Sequence, residues 1–160
     1  MLCIAVLVIG ANKAYATSRM ADAEVRLQGL APCFGISIRE EQDRGVPILK
    51  AMDVTDVLQK KSIWGFFIPK KNDHLKMPAS YCAPYGQIPP GGIGDAAPAL
   101  ENGRMYDIYL NGRTADPGDS TMGYQARFCL FERPDGGLRL VQFAPGSPGW
   151  RQGSCSLSAQ

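Results

Sequence analysis

Residues 124–143 read YQARFCLFERPDGGLRLVQF and contain two strand-like runs separated by a turn. In the first run, apolar side chains recur at every second position from Tyr124 to Leu130, which is the period of a strand with one buried face. The order Pro134-Asp135-Gly136 then predicts a tight turn, and a second run follows over 138–143. We therefore expect a hairpin in this part of the chain.

Short strand-like runs of the same kind recur along the rest of the chain. They lie at 25–27, 34–38, 62–68 and 105–110. The run 62–68 is apolar on both faces, which predicts a central strand. With 18 Gly and 12 Pro among 160 residues, turn signals are frequent and long helices have little room. Six or seven such strands predict an all-β fold, an immunoglobulin-like or fibronectin-like antiparallel β-sandwich with long loops.

Two segments have a less regular pattern. Residues 53–60 fit either a short helix capped by Asp53 or an edge strand. Residues 83–101 are rich in Pro and Gly, and we interpret them as a surface loop. The sequence contains neither a fixed-period repeat nor a hydrophilic linker, so we expect a single domain.

The first sixteen residues have the pattern of a cleavable signal peptide. An apolar run over 2–11 is followed by Ala14-Tyr15-Ala16, whose small residues fit a signal-peptidase site. The run is too short to cross a bilayer, which needs about 20 residues. A basic residue before the run is missing, so we expect the natural start to lie further upstream. The sequence thus predicts a signal peptide over 1–16 and a periplasmic domain over 17–160, without stable membrane insertion.

The cysteines agree with export to an oxidising compartment. Cleavage after Ala16 would remove Cys3 and leave four cysteines, an even number that predicts two disulfides. Four cysteines allow three connectivities, and among them we favour Cys33–Cys82 with Cys129–Cys155. Their spacings contain no C-x-x-C, which argues against a zinc site and against a thioredoxin-like motif.

Charge and residue inventory argue against several functional classes. Loss of Lys13 with the signal peptide lowers Lys plus Arg from 17 to 16, against 15 Asp plus Glu. A nucleic-acid-binding domain normally carries a basic stripe, so we expect no nucleic-acid partner. The single histidine, His74, lies in a basic polar segment, which predicts an exposed loop residue rather than a catalytic one. We therefore expect no enzymatic activity, no metal site and no cofactor.

The segment 111–124 is the strongest candidate for a binding loop. It joins two predicted strands, and it is longer than the two to five residues common in hairpins. Long loops on a rigid scaffold often carry function, and this one contains both charge signs and a terminal Tyr. The alternative is a loop that only connects strands. The candidate contact residues in this loop and in 83–101 are Arg113, Asp116, Asp119, Tyr124 and Tyr85.

Several short motifs resemble a group of bacterial proteins. They are CFGI (33–36), WGF (64–66), MP (77–78), YCAPYG (81–86), LENGRMY (100–106), YLN (109–111), DP (116–117) and YQARFCL (124–130), within residues 30–131. In their order they are similar to the periplasmic immunity proteins found with type VI secretion effectors. Many members of that group look like lipoproteins, whereas this chain has no acylatable cysteine at the cleavage point. The resemblance implies a stoichiometric inhibitor of an incoming toxin and assigns no functional residues.

Two hypotheses of function follow. In the first, a non-catalytic periplasmic immunity protein neutralises a cognate secreted effector by protein–protein contact through residues 83–101 and 111–124. In the second, a cell-wall or carbohydrate-binding β-sandwich module stacks Tyr81, Tyr85 and Trp150 on sugar rings. A small hydrolase is a third possibility that the residue inventory disfavours.

Overall fold

The computed structural model describes residues 18–72 and 75–155. The signal peptide predicted for residues 1–16 lies outside the described residues, and so do Thr17 and His74. In chain order the elements are β1 (Arg19–Asp22), β2 (Glu24–Gln28), β3 (Ala31–Gly35), α1 (Ile38–Arg44), β4 (Ile48–Asp56), β5 (Lys61–Phe67), a 3₁₀ turn (Lys70–Asn72), β6 (Ala83–Pro84), β7 (Ile93–Gly94), β8 (Met105–Arg113), β9 (Thr121–Glu132), β10 (Leu138–Phe143) and α2 (Pro148–Gln152).

Strands β1, β4, β5 and β7 to β10 form a large sheet, in which the path of neighbours is β1-β9-β8-β4-β5-β7. Strand β10 also pairs with β9, in the antiparallel hairpin predicted from the sequence. Strand β1 runs parallel to residues 121–125 of β9, whereas β10 lies beside residues 127–132. Since β8 occupies the other edge of β9, β1 and β10 follow one another along the same edge. Strands β2, β3 and β6 form a second, small sheet.

One hydrophobic core joins the two sheets. The alternating side chains of β8 and β9 supply its centre, since every second residue of a strand points to the same face. The ring of Phe128 on β9 lies 5.6 Å from that of Phe34 on β3 and 5.8 Å from that of Tyr106 on β8. The aromatic contacts therefore cross from the large sheet to the small one.

The prediction of an all-β fold is confirmed, but an immunoglobulin-like or fibronectin-like sandwich is not. The sheets contain seven and three strands, and the β1–β9 pair is parallel rather than antiparallel. Ala23 alone separates β1 from β2, so the chain passes directly from one sheet into the other. The side chain of Gln142 on β10 stabilises this crossing, because it accepts from Val25 N and donates to Ala23 O, both at 2.8 Å.

Two local predictions are corrected. Residues 53–56 belong to β4, which lies between β8 and β5 and is therefore neither a helix nor an edge strand. The strand predicted over 34–38 ends at Gly35, and Ile38 begins α1. The reason is local: the Ser37 side chain accepts from Glu40 N at 3.1 Å, which caps the helix.

The structure contains two disulfide bonds, Cys33–Cys82 and Cys129–Cys155. They have the connectivity favoured from the sequence. The first links β3 to the segment that precedes β6, and the second links β9 to the residues after α2. Residues 83–101 form the predicted irregular segment, interrupted only by the two-residue strands β6 and β7.

Candidate functional site

The outer face of the large sheet, which points away from the core, is covered over one half. Buried Met105, Cys129 and Phe143 form a second apolar cluster there, against which Trp150 of α2 packs. Arg127 holds α2 in place, because its guanidinium donates to Trp150 O at 2.5 Å and lies 4.7 Å from the Trp150 ring. The same guanidinium makes two hydrogen bonds of 2.6 Å to the Asp107 carboxylate. This half of the outer face is therefore occupied by the packing of α2 against the sheet.

The other half of the outer face is uncovered. Its exposed large hydrophobic side chains are Met20 on β1, Phe67 on β5, Ile93 on β7, Tyr109 on β8 and Met122 on β9, between 37% and 53% accessible. Strands β1, β9, β8, β4 and β5 span about 19 Å at the usual strand spacing. We call this surface, together with exposed Arg113, the open face. It combines aromatic, methionine and arginine side chains, the types that are enriched in protein interfaces.

Tyr109 is held at the centre of the open face. Its ring lies over Gly123, where an added Cβ would be 2.6 Å from Tyr109 Cε2, so the close approach requires glycine. Its hydroxyl donates to Met122 O in a long contact of 3.4 Å. Arg113 lies beside it, with one guanidinium nitrogen 2.9 Å from Met122 Sδ. Tyr109, Met122 and Arg113 therefore form one contiguous patch.

The candidate loop is shorter than predicted and borders this patch. Strand β8 extends to Arg113 and β9 begins at Thr121, so the loop comprises residues 114–120. Its shape depends on Asp119, whose side chain is only 3% accessible. The carboxylate accepts from Thr114 Oγ1 at 2.9 Å and from Thr121 Oγ1 at 2.8 Å. Asp119 is thus a structural residue, whereas Asp116 is exposed at the loop tip.

Tyr124 is not a contact residue. It is completely buried in the core, and burial raises the pKa of its hydroxyl to about 12. The hydroxyl has no hydrogen-bond partner among the described residues. Nearby, Arg19 makes two hydrogen bonds of 2.6 Å to Glu40 and one of 3.0 Å to Thr121. These contacts fasten α1 and β1 to the base of the loop.

The aromatic residues that the carbohydrate hypothesis places on sugar rings are packed against other groups of the protein rather than exposed on its surface. Tyr85 is half-buried, with its ring 4.9 Å from that of Trp64, and its hydroxyl donates to Pro98 O at 2.9 Å. Burial raises the pKa of Tyr85 to about 12. Tyr81 also packs against the core, and Trp150 lies in the covered half of the outer face. The structure does not bring these three rings to one exposed surface.

The alternation of side chains along β8 is a sequence signal for Tyr109. The pattern that buries Tyr106, Ile108 and Leu110 leaves Tyr109 pointing to the opposite face, where a solvated strand usually has a polar residue. Phe67 is exposed next to buried Phe66 in the same way. Exposed aromatic residues at outward strand positions were therefore a better guide to this surface than loop length was.

The stability of the loop is expected to depend on pH through Asp119. Burial opposes ionisation of this carboxyl, but hydrogen bonds from Thr121 and Thr114 outweigh that effect and lower its pKa below the ordinary 3.8. A lowered folded-state pKa stabilises the protein above the unfolded-state pKa, and the contribution is lost as pH falls through the folded-state value. Asp119→Asn should therefore cost about 1 kcal/mol at neutral pH, and the difference from wild type should shrink below about pH 4. Urea unfolding from about pH 2 to pH 6 measures this, and a constant difference would contradict it.

Among residues 18–72 and 75–155, no group of three or more His, Cys, Asp or Glu side chains is arranged to hold a metal ion. Within the same residues, neither helix has the length and apolarity needed to cross a membrane. Comparisons of the chain with protein-family models, with curated proteins and with solved structures gave no significant match.

Proposed function

We propose that this protein is a non-catalytic periplasmic binding protein that neutralises a secreted effector by contacting it through the open face and the adjoining loop. The observation that supports the proposal is the patch formed by Tyr109, Met122 and Arg113, bordered by exposed Asp116. Tyr and Arg residues at the centre of an interface supply much of its binding energy. The resemblance of the short motifs to immunity proteins provides the class of partner.

Rigidity of the surface supports the same proposal. The open face consists of paired strands, and the Asp119 carboxylate fixes the neighbouring loop through its hydrogen bonds to Thr114 and Thr121. A preorganised surface loses little conformational entropy on binding, which leaves more of the contact energy as affinity. The two disulfides agree with an exported protein, since such bonds form and persist in oxidising compartments such as the periplasm.

The cell-wall or carbohydrate-binding alternative has less support. It requires exposed aromatic rings, and Tyr81, Tyr85 and Trp150 are packed against other groups. Tyr109 is the more accessible ring, but its neighbours on the open face are Met122, Arg113 and the cross-strand partners Asp53 and Gln125 rather than a second ring. A sugar-binding face generally stacks its aromatic rings and supplies polar groups beside them. The open face is better suited to a protein surface.

Substitution of Tyr109 by glutamate tests the proposal. Tyr109→Glu places a charge at the centre of the patch, and we expect it to weaken binding of the cognate effector by about 100-fold, as for a hot-spot residue. Calorimetric titration of the purified pair measures the affinity, and growth of cells expressing both proteins measures protection. Tyr109→Ala serves as a second variant with no added charge.

Leu58→Glu is the matched control, because Leu58 is 76% accessible in the turn after β4 and lies outside the open face. It should bind and protect like the wild type. Unchanged affinity in both Tyr109 variants would show that the open face is not the contact surface. Point substitutions are preferable to deletion of 114–121, which would remove buried Thr121 and the carboxylate of Asp119 that shapes the loop.

A further inference from the structure

A cleft of about 660 Å³ lies at the end of β9 opposite to the 114–120 loop. Its walls come from the β2–β3 turn, from residues 85–100 and from the β9–β10 hairpin. The volume falls within the range of small-molecule sites, about 300–1,000 Å³. The lining is mainly apolar and includes Leu30, Pro32, Tyr85, Leu100, Leu130 and Leu138.

Hydrogen bonds between its walls keep the cleft open in the absence of a ligand. Tyr85 N donates to Pro32 O at 2.9 Å, and the Tyr85 hydroxyl donates to Pro98 O at 2.9 Å. On the other side, Gly103 N donates to Leu130 O at 2.8 Å. The first bond joins the irregular segment 85–100 to β3, the second joins the two ends of that segment to each other, and the third joins the residues that follow it to β9. The cavity is therefore preformed.

Glu132, which is exposed, is the one charged residue in the lining of the cleft. The Asn102 side chain accepts from Glu132 N at 2.8 Å, which fixes the backbone there. Two of the nearby cations are paired with other acids, Arg133 with Asp135 at 2.9 Å and Arg104 with Glu101 and Asp56. In the part of the chain that the structure describes, no cation forms an ion pair with Glu132. An apolar cavity with a single uncompensated carboxylate favours a ligand that is apolar over most of its surface and positively charged at one end.

We propose that this cleft is a second binding site, for an amphipathic cation in which an ammonium or guanidinium group is attached to an apolar body. The ammonium end lies against Glu132, and the apolar body lies between Leu30, Leu100 and Leu138. The site is separate from the open face, because Glu132 and Thr121 are at opposite ends of β9. Its function does not depend on the proposed effector contact.

The test uses n-octylammonium as the probe and n-octanoate, which has the same chain and the opposite charge, as the matched control. Amide chemical shifts of the ¹⁵N-labelled full-length protein report binding and its location. We expect n-octylammonium to bind with a Kd of about 1 mM and to shift residues that line the cleft. Binding of n-octanoate should be at least about tenfold weaker, because its carboxylate is repelled by Glu132. Equal or tighter binding of n-octanoate, or no binding of n-octylammonium at several times that concentration, would overturn the proposal.

Two variants locate the site. Glu132→Gln should weaken n-octylammonium binding by about tenfold, and Ala99→Trp should abolish it by filling the exposed part of the cleft. Asp22→Asn, which changes an exposed acid of β1 outside the lining, should leave the affinity unchanged. Equal losses in Glu132→Gln and Asp22→Asn would show that only the general surface charge matters, and they would overturn the assignment. Tyr109→Glu, which disrupts the open face, should not alter n-octylammonium binding.

Discussion

Replacement of Cys33 and Cys82 together by alanine is expected to lower the free energy of unfolding by about 4 kcal/mol. The bond spans 49 residues, and the loss of chain entropy in the unfolded state for a loop of that length corresponds to about this value. The bond also holds β6, which pairs with β3 at only two positions. Without it, the small sheet would depend on hydrogen bonds such as those from Arg26 to Ala79 O and Tyr81 O.

Equilibrium unfolding in guanidinium chloride measures the effect, with the Cys129→Ala/Cys155→Ala pair as the matched comparison. That bond closes 26 residues, for which the same relation gives about 3.5 kcal/mol. Because Cys129–Cys155 holds α2 rather than a sheet, its loss should leave the amide protection of β2 and β3 intact. Loss of the first bond should reduce that protection. A cost below about 1 kcal/mol for the Cys33 and Cys82 pair would contradict the prediction.

The strands that could be predicted from sequence are those whose own residues, or the turn beside them, carry a recognisable pattern. Strands β8 and β9 have period-two patterns, and the Pro134-Asp135-Gly136 turn fixes how β9 pairs with β10. The parallel pairing of β1 with β9 has no such signature. It arises because the chain changes sheets at Ala23. There the side chain of Gln142, which lies more than a hundred residues later in the sequence, makes hydrogen bonds to Ala23 O and Val25 N in place of backbone partners. A contact between residues so far apart in the sequence produces no recognisable pattern in the residues around Ala23.

The candidate site was predictable only in part, and Tyr124 shows why. The sequence predicts Tyr124 both as a buried member of a strand and as a contact residue at the end of a loop, and these two roles are incompatible. The alternation with Ala126 and Phe128 proved the stronger guide, and Tyr124 is buried. Loop length was a weak guide, because backbone pairing extends both strands into the predicted loop. Arg113 and Asp116 remain exposed candidates, while Asp119 is turned inward by its hydrogen bonds.

The aromatic contacts of the core predict a large effect for Phe128→Ala. Phe128 is fully buried, and its ring contacts Phe34 of the small sheet and Tyr106 of the large one. Truncation removes the apolar contacts and leaves a cavity between two sheets that pairing constrains, so relaxation can fill it only partly. We expect the free energy of unfolding to fall by about 3–5 kcal/mol. Near-ultraviolet circular dichroism should also lose intensity, since one aromatic ring is removed and the rings of Phe34 and Tyr106 change environment.

Phe67→Ala is the matched control for Phe128→Ala, because it deletes the same atoms from a side chain that is 51% accessible on the open face. Its expected cost is below about 1 kcal/mol, since half of the ring is already in water. Chemical unfolding of both variants under the same conditions measures the difference. Comparable costs at the two positions would mean that the open face is covered in the folded protein, which would contradict both the proposed contact surface and the packing described here. A large loss of unfolding free energy for Phe128→Ala alone would show that the core stabilises the fold and that the open face is free to bind a partner.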